Sequence, residues 1–464
     1  MLFSSLTFLF CFLPAVVAGY YICPGRFRNV FLLLTSIFFY AWGEPRYLPV
    51  IFTTITISYA GALAIEHFKY KKILLALFVV LDLSLLFYFK YANFFLENLN
   101  LIFHQKWSLK VVLPLGISFY TFQALSYLVD VYRGQVRAQK NYLKIALYIC
   151  LFPQLIAGPI VKYHDVSDQI DNREETIDKV YYGIRRFIIG LAKKVLIANT
   201  LGAVADKVFA LNPTEFGAGI AWLGAFSYSL QLYYDFSGYS DMAIGLGSIF
   251  GFKFLENFNY PFISKSYGEF WARWHISLGR WVKEYIYIPL GGSHCGVVRH
   301  YFNIFMALFL IGIWHGANIT MLVASLLMGI IVVIERLLHM YEEPRTLLSR
   351  IFRHIYLIMM ILLTIFYIRL PSFEYGWSYM KKMFFVTGKM ENSYPIFYFV
   401  DRLTLFIFAI AVSCCMPIFK NMLDWGKKRI TVGITVDIWL LALLFLCCMQ
   451  LTASTYNPFI YFRF

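Results

Sequence analysis

Long apolar runs, separated by short polar stretches, recur along almost the whole chain. A membrane-spanning helix needs about 20 mostly apolar residues. The candidate runs are 2–22, 29–42 with 47–65, 73–91, 113–131, 143–160, 183–204, 217–234, 301–334, 354–369, 401–419 and 433–451. This pattern predicts an all-α, polytopic integral membrane protein with about eleven or more helices.

Prolines and glycines interrupt several of these runs, most clearly between residues 113 and 160. Pro114, Pro153, Gly158 and Pro159 lie there inside otherwise apolar sequence. Broken backbone at membrane depth is tolerated only where protein buries it or where it lines a water-filled cavity. We therefore expect some short, re-entrant or interfacial helices around a central cavity, although packing kinks explain the same breaks. We expect a single domain over residues 1–464.

The stretch 253–300 differs from the apolar runs because it is rich in both charged and aromatic residues. Its centre, 270–281, has the sequence FWARWHISLGRW. Drawn as one helix, it carries Trp271, Trp274, Leu278 and Trp281 on one face, and Arg273, Ser277, Arg280 and Glu284 on another. Such a helix lies in the membrane interface instead of crossing the bilayer. We expect it at the cytoplasmic side, ending at the IPLGG sequence of 288–292.

The composition excludes a soluble protein with one membrane anchor. Of the 464 residues, 60% are hydrophobic and 14% are charged, whereas soluble domains have about 45–50% and about 25%. The net charge of +15 comes from basic residues between apolar runs, such as EHFKYKK at 66–72. This placement predicts positive-inside orientation and contact with anionic membrane lipid, not with nucleic acid.

Cysteine spacing gives no sign of a metal site or a disulfide framework. The eight cysteines include no CxxC, and Cys414–Cys415 and Cys447–Cys448 are adjacent pairs inside apolar runs. His294, Cys295 and His300 are close together, but no second ligand pair has the usual spacing. We expect reduced cysteines and no metal.

One histidine lies in the middle of an apolar run. Residues 301–334 contain no Asp, Glu, Lys or Arg, and His315 stands within the sequence WHGAN at 314–318. Ionisable side chains at membrane depth are costly and are often functional, but a structural histidine bonded between helices explains the same pattern. The run is too long for one span, so we expect a bend near 312–316. Asn318, at i+3, would then lie one helical turn from His315.

Polar residues upstream offer further candidates. His275 lies in the Trp/Arg segment, where it either takes part in proton transfer or simply packs at the interface. Asp235 and Asp241 border an apolar run, and such acids can bind substrate or polarise a histidine. We expect Asp241 to cap a helix that begins near it, and the role of Asp235 stays open.

Short motifs recur from one end of the chain to the other. They are MLFSS at 1–5, FYAW at 39–42, LGISFYTFQ at 115–123, FPQLIAGPI at 152–160, DFSGYSDMAIG at 235–245, ENFNYP at 256–261, FWARWHISLGRW at 270–281, WHG at 314–316 and NPFIYFRF at 457–464. Together they resemble the membrane-bound O-acyltransferase family, and within it the bacterial branch that O-acetylates alginate.

The resemblance implies roles for particular residues. His315 matches the catalytic histidine of that family, and His275 matches the second histidine of the bacterial branch. The candidates for substrate binding are Asn318, Asp235, Trp274, Arg273 and Gln154.

The resemblance also implies an activity. We expect an enzyme that moves an acetyl group from a cytoplasmic thioester towards hydroxyls of an extracytoplasmic polysaccharide, directly or through a partner. The donor would be acetyl-CoA or an acyl carrier thioester, with no bound cofactor. The expected partners are a secreted or membrane-anchored acetyltransferase of the Ser-His-Asp type, possibly an acyl carrier protein, and lipid of the bacterial inner membrane. The alternatives are D-alanyl transfer to teichoic acid and, in another class, a proton-coupled transporter.

Overall fold

The computed structural model of the chain describes residues 1–316, 318–344, 346–385, 394–418 and 430–459. Within these residues every regular element is helical, apart from an isolated antiparallel bridge between Phe258 and Trp274. The predicted all-α class is confirmed. The α-helices are Leu13–Ile22, Arg28–Gly43, Leu48–His67, Lys71–Phe103, Ile117–Tyr132, Tyr142–Cys150, Phe152–Leu155, Tyr163–Asn172, Ile177–Ala192, Asn199–Phe209, Ala218–Ile249, Tyr267–Arg273, Ile276–Val282, Val297–His315, Ile319–Leu337, Leu347–Tyr367, Phe373–Phe384, Arg402–Cys414 and Ile430–Ala453. π-Helical turns occupy Phe8–Phe12, Lys193–Ala198 and Lys283–Tyr287, and 3₁₀ turns occupy Gly25–Phe27, Pro45–Tyr47, Pro261–Ile263 and Ile396–Tyr398.

Seven helical stretches of the described residues are long and apolar enough to cross a bilayer. They are Pro45–His67, Lys71–Phe103, Ile177–Phe209, Val297–His315, Ile319–Leu337, Leu347–Tyr367 and Gly433–Ala453, and the shorter apolar helices Phe8–Ile22 and Arg402–Cys414 add to them. This is the architecture of a multi-pass membrane protein. The stretch 265–290 is not among these spans, and its position at the cytoplasmic interface stays a prediction.

Two predicted spans between residues 113 and 160 are shorter than expected. Gly116, with φ of +77°, delays the first helix to Ile117. The second helix ends at Cys150, and Pro153 lies in the first turn of a new short helix, Phe152–Leu155. Proline fits the first turn of a helix but not its interior, so the chain must restart its helix here.

The apolar run 301–334 bends where the sequence predicts. Its first helix, Val297–His315, ends at Gly316, which is extended with φ of −169° and ψ of 149°. The next helix, Ile319–Leu337, begins with Asn318 as its cap. The break leaves His315 at a helix end.

The chain forms two compact units. The first comprises Met1–Phe187 and Ser240–Glu256, and the second comprises Ile188–Tyr239 and Asn257–Phe464. The expectation of a single domain over residues 1–464 stays a prediction. In the first unit, a cluster of phenylalanines packs in edge-to-face and tilted pairs; its members include Phe3, Phe8, Phe12, Phe39 and Phe152.

The second unit has an aromatic core from several helices. Its fully buried members include Tyr234, Tyr267 and Phe270. Glu335, 3% exposed, accepts hydrogen bonds from the backbone nitrogens of Tyr267 at 2.6 Å and Gly268 at 2.8 Å. This carboxylate satisfies N–H groups that every helix leaves without partners in its first turn. It thereby fixes the start of the helix Tyr267–Arg273.

We expect Glu335→Ala to lower the melting temperature of the purified protein. The substitution leaves the two backbone N–H groups without their acceptor, and an unsatisfied buried group costs about 1–3 kcal/mol. Thermal unfolding in detergent measures the effect. Glu342→Ala is the control, since Glu342 is exposed. Equal melting temperatures for Glu335→Ala and the unaltered protein would contradict the anchoring role.

Candidate active site

The amphipathic segment is broken at its centre, so the prediction of one continuous helix over 270–281 is wrong. The helix Tyr267–Arg273 ends at Trp274, whose backbone is extended. His275 then adopts the left-handed conformation, with φ of +46° and ψ of 54°, and the helix Ile276–Val282 follows. A left-handed residue other than glycine costs about 1–3 kcal/mol, and such residues cluster at functional sites.

The physical reason for the break is a neighbouring stretch of chain, 257–259. Its Asn259 nitrogen donates to the Arg273 carbonyl at 3.0 Å, and its Asn257 carbonyl accepts from the Ile276 nitrogen at 2.9 Å. These bonds satisfy backbone groups that a continuous helix would satisfy internally. The loop therefore takes the place of one helical turn and holds His275 between the two short helices.

His275 is buried, with 2% of its surface exposed. Its Nδ1 lies 2.9 Å from Asn257 Oδ1. The ring of Phe236 meets the imidazole edge-on, with centroids 4.6 Å apart. Burial lowers the pKa of His275 well below its ordinary value of 6.5, and the nearby His315 lowers it further. The imidazole is therefore neutral at physiological pH.

The structure brings His275 and His315 together. Their ring centroids lie 6.4 Å apart. Trp314 packs edge-on against His315 at 4.8 Å and lies 6.4 Å from His275. Hydrogen bonds of about 2.8 Å from each ring can span this separation through one shared oxygen atom. Both rings can thus reach a single oxygen atom, and one of them can accept its proton.

Asp235 precedes Phe236 in the chain, and its carboxylate forms an ion pair. Lys194 Nζ lies 2.7 Å from Asp235 Oδ1, and both side chains are buried. The same ammonium donates to Asn199 Oδ1 at 2.8 Å and to the Pro458 carbonyl. The pair thereby ties the end of the described chain into the second unit. Asp235 has a structural role that the sequence left open.

Arg273 and Trp274 brace the segment that carries His275. Arg273 donates to Glu269 at 2.8 Å and to the Asn259 carbonyl at 3.1 Å. Trp274 packs edge-on against Phe258, with centroids 5.1 Å apart. Both side chains therefore stabilise the broken helix against its loop.

Asn318 does not share a helical turn with His315, because the helix ends between them. Its Oδ1 accepts from the Met321 nitrogen at 2.7 Å and from the Thr320 hydroxyl at 2.9 Å. The residue is exposed. Its visible role is that of a helix cap.

Asp241 does not cap a helix either, because the helix Ala218–Ile249 continues through it. Its carboxylate accepts from Arg186 Nε at 2.8 Å and Nη2 at 2.6 Å. Arg186 also holds Glu256 with two hydrogen bonds, at 2.9 and 2.6 Å. A distant guanidinium, not a free helix end, satisfies this aspartate.

Gln154 belongs to the first unit. It is buried, and its Nε2 donates to the Tyr148 carbonyl at 2.6 Å. The two side chains line a small cavity together with Leu151 and Val166. The cavity is about the size of one water molecule. The chain break before Pro153 thus borders a cavity, although a much smaller one than a substrate needs.

Sequence reasoning missed two residues of the second unit. Lys194 stands inside the apolar run 183–204, and an ionisable group at membrane depth is a signal in itself. Asn257 carries no such signal, because its contacts with 275–277 join parts of the chain far apart in sequence.

Comparison with known proteins places the chain among membrane enzymes. The model of the membrane-bound O-acyltransferase family matches residues 68–377. A probable alginate O-acetylase from Pseudomonas aeruginosa is 47% identical over 75% of this chain and 68% of its own length. A probable alginate O-acetylase from Azotobacter vinelandii is 37% identical over the full length of both chains. A peptidoglycan O-acetyltransferase from Helicobacter pylori is 38% identical over 72% of this chain and 70% of its own.

We expect Lys194→Met to reduce the amount of folded protein and its melting temperature. The variant leaves Asp235 as a buried charge without its cation, and breaking a buried ion pair in this way costs about 3–5 kcal/mol. The double variant Lys194→Met with Asp235→Asn removes both charges and should recover part of the loss. Lys193→Met, at a half-buried neighbouring position, is the control. If the double variant is no more stable than Lys194→Met, the ion pair is not the source of the stabilisation.

Proposed function

The chain belongs to the membrane-bound O-acyltransferase family, and we propose that it moves an acetyl group from a cytoplasmic thioester towards hydroxyls of an extracytoplasmic polysaccharide. The observation that carries this proposal is the meeting of His275 and His315, 6.4 Å apart, in one unit of the chain. The relatives that match over two thirds or more of both chains are named for O-acetylation. Their names favour acetyl over D-alanyl transfer, and membership of an acyltransferase family disfavours a transporter.

In the proposed mechanism, His315 is the general base. Its imidazole takes the proton of an acceptor hydroxyl while that oxygen forms a bond to the thioester carbonyl carbon. The tetrahedral intermediate then collapses, the carbon–sulfur bond breaks, and the leaving thiolate takes the proton back from the imidazolium. Histidine suits both steps because its ordinary pKa, about 6.5, lies near ambient pH.

His275, which is buried, assists the same acyl transfer. It either orients the acceptor hydroxyl or donates a hydrogen bond to the oxyanion of the intermediate. Both roles need an imidazole nitrogen within hydrogen-bond reach of the reacting group, and the 6.4 Å between the two ring centroids supports such an arrangement. One such bond contributes about 10²–10³-fold to the rate of acyl transfer.

The donor and the acceptor both arrive as substrates, so no bound cofactor is needed. The donor is acetyl-CoA or an acyl carrier thioester, and the immediate acceptor is a sugar hydroxyl or a hydroxyl on a partner. Activated thioesters are cytoplasmic, whereas the polysaccharide is outside, so the acyl group must pass through the thickness of the membrane. We therefore place the chain in the bacterial inner membrane, beside a secreted or membrane-anchored acetyltransferase of the Ser-His-Asp type.

We expect His315→Ala to abolish measurable acetylation, because general base catalysis contributes about 10²–10⁴-fold. His275→Ala should reduce acetylation severely, because it removes the second imidazole beside His315. Asn318→Ala should have a milder effect, through a lost helix cap worth about 0.5–2 kcal/mol. Mass spectrometry of the host polysaccharide measures acetylation, and the protein level is checked in the membrane fraction.

The matched control is His354→Ala, an exposed histidine in the same unit, which should leave acetylation unchanged. Normal acetylation by His315→Ala, at a normal protein level, would show that the proposed base is wrong.

A second prediction concerns the partner. The purified chain in liposomes with acetyl-CoA should not acetylate added polysaccharide at an appreciable rate, because a partner must receive the acyl group on the far side. Addition of a secreted or membrane-anchored acetyltransferase of the Ser-His-Asp type from the same host should restore acetylation, measured as acetyl groups on the glycan. Robust acetylation by the chain alone would overturn the requirement for a partner.

A further inference from the structure

Asn257 makes an unusually dense set of contacts with the segment that carries His275. Its side chain is buried, with 1% exposed. Its Oδ1 lies 2.9 Å from His275 Nδ1, 2.9 Å from the Ser277 hydroxyl and 3.3 Å from the Ser277 backbone nitrogen. Its backbone carbonyl holds the Ile276 nitrogen at 2.9 Å. One residue therefore engages three consecutive residues of the broken helix.

The contacts identify the atom that faces His275 as an oxygen. A backbone N–H can only donate, so the atom of Asn257 that meets the Ser277 nitrogen must be the acceptor of the amide. The same oxygen faces His275 Nδ1. An oxygen of this kind can only accept, so the hydrogen bond between the two side chains needs a proton on Nδ1 of His275.

A neutral imidazole carries one proton. Burial lowers the pKa of His275, and its electrostatic neighbour among titratable groups is His315. Asn257, Ser277, Phe236 and Trp314, which bond to the ring or pack near it, are uncharged. With its single proton on Nδ1, the ring has a lone pair on Nε2.

We propose that Asn257 is a positioning residue that fixes His275 in the tautomer protonated at Nδ1, so that Nε2 can accept a hydrogen bond but cannot donate one. This deepens the proposed function and rests on it for the reaction, but the tautomer itself does not. A lone pair cannot donate to an oxyanion. Of the two roles open to His275, donation to the oxyanion is therefore excluded. The ring orients the acceptor through a polar hydrogen other than the hydroxyl proton that His315 removes, and oxyanion stabilisation falls to other donors.

Two further features hold the ring in this orientation. The left-handed backbone at His275 sets the direction in which the side chain leaves the chain, and the edge-on contact with Phe236 blocks one side of the ring. Since Nδ1 is bound to Asn257, the ring cannot flip without breaking that bond. These contacts keep His275 Nε2 in one position.

Nitrogen NMR of the full chain in lipid, labelled with ¹⁵N-histidine, tests the tautomer directly. The chain has nine histidines, and comparison with His275→Asn identifies the signal of His275. We expect a neutral ring with its proton on Nδ1 at neutral pH. A ring protonated on Nε2, or a charged ring at neutral pH, would overturn the proposal whether or not the protein transfers acetyl groups.

Variants of Asn257 test the consequence for the reaction. Asn257→Ala should lower kcat about 10–100-fold, the usual loss when the partner that orients a functional histidine is removed. Asn257→Asp keeps an acceptor for Nδ1–H but adds a negative charge that favours the imidazolium. The pKa of His275, followed through its ¹⁵N signal, should therefore rise by about 1–3 units.

Asn199→Asp is the control for burying a new carboxylate, because Asn199 is also buried and accepts from Lys194. It should leave the pKa of His275 where it is. A purely structural role for Asn257 predicts equal loss of activity in Asn257→Ala and Asn257→Asp, with no change in the pKa of His275, and that result would overturn the positioning role. If His315→Ala keeps full activity while the NMR result holds, the proposed function fails and the tautomer assignment stands.

Discussion

Backbone hydrogen bonds between residues 257–259 and 273–276 hold the chain open where a continuous helix would otherwise form. A buried polar group without a partner costs roughly 2–7 kcal/mol, so a helix can break inside an apolar unit only where another segment supplies the missing partners. The loop supplies them at the C-terminal end of the helix Tyr267–Arg273, and Glu335 supplies them at its N-terminal end. The position of His275 between the two short helices is a consequence of this compensation.

The same constraint operates at His315. Its helix ends at an extended glycine, and Asn318 caps the helix that follows. Both histidines therefore lie at helix ends, where the ring is not held back by the turns of its own helix. The two ring centroids lie 6.4 Å apart, close enough for both rings to reach one atom.

The sequence predicts the long apolar helices well, because their stability depends on composition that can be counted locally. It predicts the bend near 312–316 for the same reason, since the run is too long for one span. It fails at 270–281, because the apolar residues keep a helical period on both sides of the break. The loop 257–259 interrupts that helix through hydrogen bonds to residues 273–276. The pattern of apolar residues within 270–281 does not predict these bonds. Asp241 is a similar failure, since Arg186 satisfies it from another helix. The histidines themselves were predicted, but their separation was not.

Burial divides the ionisable groups of the second unit into two kinds. Lys194 and Asp235 form an ion pair, and Glu335 accepts hydrogen bonds from two backbone N–H groups, so these groups have structural roles. An imidazole can be buried neutral at little cost, because its ordinary pKa lies just below physiological pH. The proposed reaction starts from a neutral thioester and a neutral hydroxyl and develops charge only on the way to the intermediate. With a neutral His275, the site need not compensate a fixed charge on that ring before the substrates arrive. It can therefore direct its hydrogen bonds to the charge of the transition state, which is where binding accelerates a reaction.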